Sequence, residues 1–162
     1  ACRRCALPLP TGGVCGHCVQ HPPLAGETFC AFRYAWPVRE LVLRFKTGGD
    51  LAAGRLLAEV MARALDTNGS TPVQGWALVP VPIAPQRLGE RGFNQAERIA
   101  QVLGGRLGVP VARGLSNRVR SGPDQKGLSA EERRRNLDAA FVAQSCAGRR
   151  LIVVDEIGRA HV

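Results

Sequence analysis

The sequence predicts a small metal-stapled module followed by an α/β domain in which helices cover a parallel sheet. Three observations predict it. Four cysteines form two CxxC pairs within the first 18 residues, "CRRC" and "CGHC". Two windows, residues 38–45 and 51–65, carry apolar side chains at helical spacing. From residue 76 on, strand-like and helix-like stretches alternate, the order of a parallel sheet with crossover helices. A length of 162 residues suits a module plus one domain.

The cysteine pairs come first. Cys2 with Cys5, and Cys15 with Cys18, can each present two thiolates to one tetrahedral ion, the intervening chain turning back as a short ribbon. Structural Zn2+ is the expected ion, although iron with four thiolates is chemically possible. Disulfides are the lesser alternative in a chain with no export signal, and redox work the least. So short a segment has almost no core, so bound metal would supply much of its folding free energy. Four thiolates close the shell and leave His17 and His21 as surface residues. Cys30 and Cys146 read as small packing residues.

"QHPPLAGETF" reads as a linker. "VRELVLRF" then places Val38, Leu41, Val42 and Phe45 on one helical face, with Gly48 and Gly49 as its stop. Residues 51–65 repeat the pattern through Leu51, Leu57, Met61 and Leu65. "TNGSTPVQG" is a turn-rich break, and "WALVPVP" a short buried strand ended by prolines. "NQAERIAQVLGGRL" is helical, with Asn94 and Glu97 as a capping box; Ser129 and Glu132 form a second candidate. Between these helices, "LSNRVRSGPDQKG" reads as a mobile basic loop. "AAFVA" and "RRLIVV" are further strands.

The net charge of +9, from 22 Lys+Arg against 13 Asp+Glu, favours polyanionic partners, either nucleic acid or phosphorylated small molecules. Residues 83–135 hold much of the basic charge but only one aromatic, Phe93, which speaks against a base-stacking platform. No run approaches the ~18 apolar residues of a membrane span and no signal peptide is evident, so a soluble cytoplasmic protein is expected. A start at Ala1 and not Met is compatible with a missing native N-terminus.

Ligands of open parallel sheets bind beyond the carboxyl ends of the strands. Three segments should meet there. "VPVPIAPQRLGERGFNQ" brings Arg87, Arg91 and a helix start, which suit phosphate. "DQKGLSAEERRRN" brings a basic loop. "LIVVD" delivers Asp155, able to accept from ribose hydroxyls or to help hold Mg2+.

Together "CRRC…CGHC", "LVLRFKTGGD", "VPVPIAPQRLGERGFNQAERIA", "DQKGLSAEERRRNLDAAF" and "LIVVD" resemble the ComF family of competence-associated, phosphoribosyltransferase-like proteins. The resemblance implies a zinc ribbon with its linker over residues 1–30 and a partial type I phosphoribosyltransferase-like domain over 31–155. It also implies a phosphoribosyl pyrophosphate (PRPP) site. In that site Arg87, Arg91, Asn94, Lys126 and Arg134 would bind phosphate or pyrophosphate, Lys126 and Arg134 as part of a lid. Asp155 would serve ribose and Mg2+, and Lys46 either reaches phosphate or caps a helix. The family's PRPP loop continues with a second acid and a Thr/Gly cradle. Here "EIGRAHV" follows instead. Those seven residues back-translate to a common sequencing-adapter string, so residues 156–162 are expected to be a non-native tail on a C-terminally truncated chain, poorly stable without the next strand.

The leading expectation is a PRPP-binding protein serving DNA uptake or the use of imported DNA, enzymatic or not. The alternative is a non-catalytic adaptor whose zinc ribbon and basic face contact single-stranded DNA or a competence helicase. A free-standing zinc-ribbon transcription factor would leave the strand–helix alternation and "RGFNQ" without a purpose.

Overall fold

The computed structural model describes residues 1–67, 69, 75–119, 132, 135, 137 and 140–156. The expectations placed on Lys126, Ser129 and Arg134, and on residues 157–162, lie outside them. The chain divides into two compact units, Ala1–Arg33 and Tyr34–Val162.

The first unit is held by backbone bonds around the cysteines. Cys2 N–H donates to the Leu7 carbonyl at 2.8 Å and Arg3 N–H to the Gly13 carbonyl at 3.0 Å. Thr28 binds back through its N–H to the Arg3 carbonyl and through Oγ1 to the Arg4 carbonyl, both at 2.8 Å. The expected ribbon is reduced to an isolated bridge, Cys2 to Gly13. The second knuckle leads into one helical turn, α1 (Gly16–Gln20), because Cys15 takes the N-cap conformation. A helix places Cys15 and Cys18 within one turn of each other, so it serves the same pairing that a ribbon would.

In the second unit, α2 (Val38–Gly48) buries Val42 and Phe45 and ends at Gly49, whose φ of 66° is left-handed. Asp50 then caps α3 (Leu51–Thr67). Its Oδ1 accepts from Ala53 N–H at 3.0 Å and its Oδ2 holds Arg44 at 2.5 Å. These two donors, the Ala53 N–H first, hold the Asp50 carboxyl below the usual carboxylate range. "LRFKTGGD" is thus a helix–helix corner. Strand β1 (Trp76–Pro80) follows, then α4 (Pro85–Arg91), α5 (Gln95–Leu107), β2 (Ser116–Arg118), β3 (Phe141–Ala143) and β4 (Arg150–Val154).

β1 and β4 pair in parallel, with Leu78 opposite Ile152 and Pro80 opposite Val154. On its other side β1 meets residues 110–112: Leu78 N–H donates to the Pro110 carbonyl and Ala112 N–H to the Leu78 carbonyl. β1 is therefore central, as its buried Leu78 and Val79 require. The core joins Phe45, Ala53, Ala58 and Ala62 of α2 and α3 to Leu78, Ile99, Ala100, Leu103, Val109 and Val154. Small residues on α3 and α5 let the two helices approach closely. Gly104 faces the segment after α5: a Cβ there would lie 2.7 Å from the Val109 carbonyl oxygen.

Two expectations are corrected. The alternation from residue 76 predicts one parallel sheet, but β2 and β3 form a separate antiparallel ribbon, with Asn117 opposite Val142. Its first strand lies in the stretch read as a loop, too short and polar to show a strand period. Helix α4 lies in a stretch for which the sequence pattern predicts no element. Pro85 sits at the first helical position, where its missing N–H costs nothing, and Gly92 ends the helix at φ 79°.

Candidate functional site

Two groupings of side chains have the chemistry of a site, one in each unit. In the first unit the Sγ atoms of Cys2, Cys5, Cys15 and Cys18 all lie within 4.8 Å of one another. Cys5 and Cys15 are 3.8 Å apart, about the S···S edge of a tetrahedron built on Zn–S bonds of ~2.3 Å. Cys2 and Cys18 are buried. Cys15 N–H donates to Cys2 Sγ at 3.3 Å and lowers that thiol to about 6. Burial, with the neighbouring sulfurs, pushes Cys18 up to about 12. Four thiols so close cannot all ionise unaided, and a bound cation removes the conflict. The donor set fits a structural metal ion, zinc among them. His17 and His21 stack on each other, ring centroids 5.2 Å apart, and are not part of the cluster.

In the second unit a cavity of about 660 Å3 opens at the carboxyl ends of β1 and β4. Its rim comes from residues 81–84 after β1, from α4, from the start of α5, and from Asp155 and Glu156 after β4. Lys46, Arg87, Arg91 and Arg118 line it against Glu90, Asp155 and Glu156, so it is polar and mixed in charge. The Asn94 amide fixes its geometry: Nδ2 donates to the Val81 carbonyl at 3.0 Å, and Oδ1 accepts from Ala96 N–H at 3.0 Å. One side chain thus caps α5 and pins it to the end of β1. Glu97, the expected reciprocal partner, instead pairs with Arg113 at 2.7 Å.

Of the residues singled out from sequence, Arg87, Arg91, Asn94 and Asp155 are brought to this one cavity. Their present partners differ. Arg87 is exposed and pairs with Glu90 at 3.0 Å, one turn along α4. Arg91 is half-buried and makes no ion pair among the described residues. Both polar ends of Asn94 are engaged within the protein. Asp155 is solvent-accessible as a residue, yet packing around its carboxyl dominates and pushes its pKa up to about 6. Its Oδ1 accepts from Glu156 N–H at 2.8 Å.

Two cavity residues, Arg118 and Gln95, have no role assigned from sequence, and Lys46 stands there between reaching phosphate and capping a helix. Lys46 comes from α2 to meet Glu156 Oε1 at 2.7 Å. Arg118 on β2 lies 5.6 Å from the Phe141 ring centroid. Gln95, at 3% exposure, is the buried polar residue of α5. Gln95 is part of the specific "RGFNQ" motif, whereas Arg118 falls in a stretch that reads only as a basic loop.

Fold and sites together define a class: an α/β protein with a four-thiolate knuckle and a charged cavity at the carboxyl ends of a parallel strand pair. The chain is 31% identical over 149 residues to competence protein F of Haemophilus influenzae, covering 88% of this chain and 65% of that protein. It is 32% identical over 163 residues to DNA utilization protein YhgH of Salmonella typhimurium, covering 96% and 70%. Competence protein ComFC of Bacillus subtilis matches at 29% over 113 residues, covering 63% and 44%. The chain belongs to the ComF/YhgH competence family, and spans 65% and 70% of the length of the first two relatives. No family model matches it, and no solved structure matches it significantly.

Proposed function

We propose that this chain is the phosphoribosyltransferase-like part of a protein of DNA uptake or DNA use, binding PRPP or a related phosphorylated ribose in the cavity of its second unit. The observation that carries this reading is the convergence of Arg87, Arg91, the start of α5 and Asp155 on one cavity at the strand ends. First-turn N–H groups of a helix lack intrahelical acceptors and, with two guanidiniums, favour an oxyanion. Asp155 on the facing strand end suits ribose hydroxyls. Asp155 is a hard oxygen donor of the kind Mg2+ takes, and the ion would supply charge neutralisation at the phosphates. The names of the relatives, competence protein F and DNA utilization protein, support the cellular role.

If the protein is a transferase, an acceptor bonds to ribose C1 as the C1–O bond to pyrophosphate breaks, and pyrophosphate leaves with the electron pair. Arg87 and Arg91 would take up the charge growing on that leaving group. Arg87 would have to exchange Glu90 for the ligand, whereas Arg91 has no such pair among the described residues. Asn94 serves by position, holding α5 against Val81. Lys126 and Arg134, outside the described residues, would close over the site as part of a lid. The first unit is a zinc-stabilised module with no open coordination position, hence structural.

The test is PRPP binding and pyrophosphate release by the full chain. Arg91→Ala is expected to weaken PRPP binding by about tenfold or more, since hydrogen bonds to charged groups are worth about 1.5–3 kcal/mol. Unaltered affinity would sink the assignment. The net charge of +9 favours a second reading, a non-catalytic adaptor on DNA or a competence helicase. Salt-sensitive DNA binding without PRPP affinity would select it.

A further inference from the structure

Two side-chain atoms among the described residues are buried without a hydrogen-bond partner, Nε2 of Gln95 and Oε2 of Glu156. Both residues line the same cavity. Glu156 has its other oxygen on Lys46. Gln95 is only 3% exposed, and its amide nitrogen serves no contact within the described fold. Its neighbours on α5 are apolar and buried, Ala96 and Ile99 among them. Leu or Met would fill the same space without leaving an unpaired N–H, which costs stability wherever it is buried. Packing therefore does not explain an amide here.

We propose that Gln95 is a specificity-determining residue of the cavity, its Nε2 donating to a phosphoryl oxygen of the bound ligand. The inference rests on the phosphorylated-ribose reading above and deepens it. An amide nitrogen only donates, so its partner must bring an acceptor. The surroundings choose the kind of acceptor. Gln95 opens α5, a helix of 13 residues whose N-terminal end carries partial positive charge, and Arg87 and Arg91 share the cavity. That field favours an oxyanion over a neutral hydroxyl. A neutral donor adds recognition without adding to the crowd of like charges. Nε2 is closed to water in this conformation, so the Gln95 side chain turns toward the cavity as the ligand enters, and the bond it then forms is sheltered from solvent.

Calorimetric titration of the full chain with inorganic pyrophosphate, paired with thermal melting, tests this. Gln95→Met keeps the volume and removes the donor. It is expected to bind pyrophosphate about tenfold more weakly than the parent while melting at the same or a higher temperature. Gln95→Glu, which places a carboxylate there, is expected to bind more weakly still. Equal binding by parent and Gln95→Met overturns the inference. So does a Gln95→Met chain that melts several degrees lower, because Nε2 would then have a structural partner. A parent chain that does not bind pyrophosphate at all sinks the phosphorylated-ribose reading itself, and this inference with it.

Discussion

At Asn94 one amide serves two backbone groups, the Ala96 N–H and the Val81 carbonyl, and so aligns a helix start with a strand end. The capping half of that role follows from residue type and position, because Asn before a helix accepts from its first turn. The half that reaches Val81, thirteen residues back, does not. Asp155 shows the same division. Its place at the end of an apolar strand is plain in "LIVVD", but its environment is tertiary, and that environment raises its pKa to about 6. An ordinary Asp titrates at about 3.9, so the folded chain holds this proton more tightly than the unfolded one. The resulting stability is present below about pH 4 and is lost as pH rises through about 6. Asp155→Asn should remove that loss. In urea denaturation the parent's stability relative to Asp155→Asn is expected to fall between about pH 4 and pH 6.5. A flat difference over that interval would show the carboxyl to be fully solvated, and a rising one would show it held as the carboxylate; either overturns the expectation.

Among the elements, the helices were the most legible. Leu41, Val42 and Phe45 in α2, and the apolar positions of α3, repeat at helical spacing, and Gly49 and Gly108 sit where left-handed caps are needed. α4 was hidden by Pro85, whose place at the first helical turn is harmless but which reads as a breaker in sequence. β2 was hidden by its three polar residues. Neighbouring glycines in α5 offer a clean test of the packing. A Cβ at Gly104 would press on the Val109 carbonyl, while one at Gly105 would meet nothing within 4 Å. Gly104→Ala should cost up to about 2 kcal/mol, overpacking of about 1–3 kcal/mol being partly offset by about 1 kcal/mol of helix propensity. Gly105→Ala should instead stabilise by about 0.5–1 kcal/mol. Chemical denaturation of both variants checks the opposite signs. Same-sign shifts would refute the close approach of α5 to residues 109–111.

Across the whole molecule, two compact units offer two different means of holding a fold, a four-cysteine cluster in Ala1–Arg33 and an apolar core in Tyr34–Val162. Metal removal should separate them. Metal analysis is expected to find one zinc per chain. A strong chelator should abolish amide-exchange protection in residues 1–33 while the helical signal of the second unit persists. Protection that survives chelation would mean the cysteines need no ion. No helix among the described residues is long and apolar enough to cross a membrane. What the sequence determined by itself is whatever local spacing encodes: four cysteines paired across one turn each, the apolar faces of α2, α3 and α5, the Asn94 cap, and a strand aimed at an acid. Local spacing reports which face a residue occupies, not which distant group it meets. The tertiary structure alone decided that Lys46 reaches Glu156, that Arg87 pairs with Glu90, and that Gln95 is buried beside the cavity with its Nε2 unpaired among the described residues. Each depends on packing between side chains, which periodicity does not record.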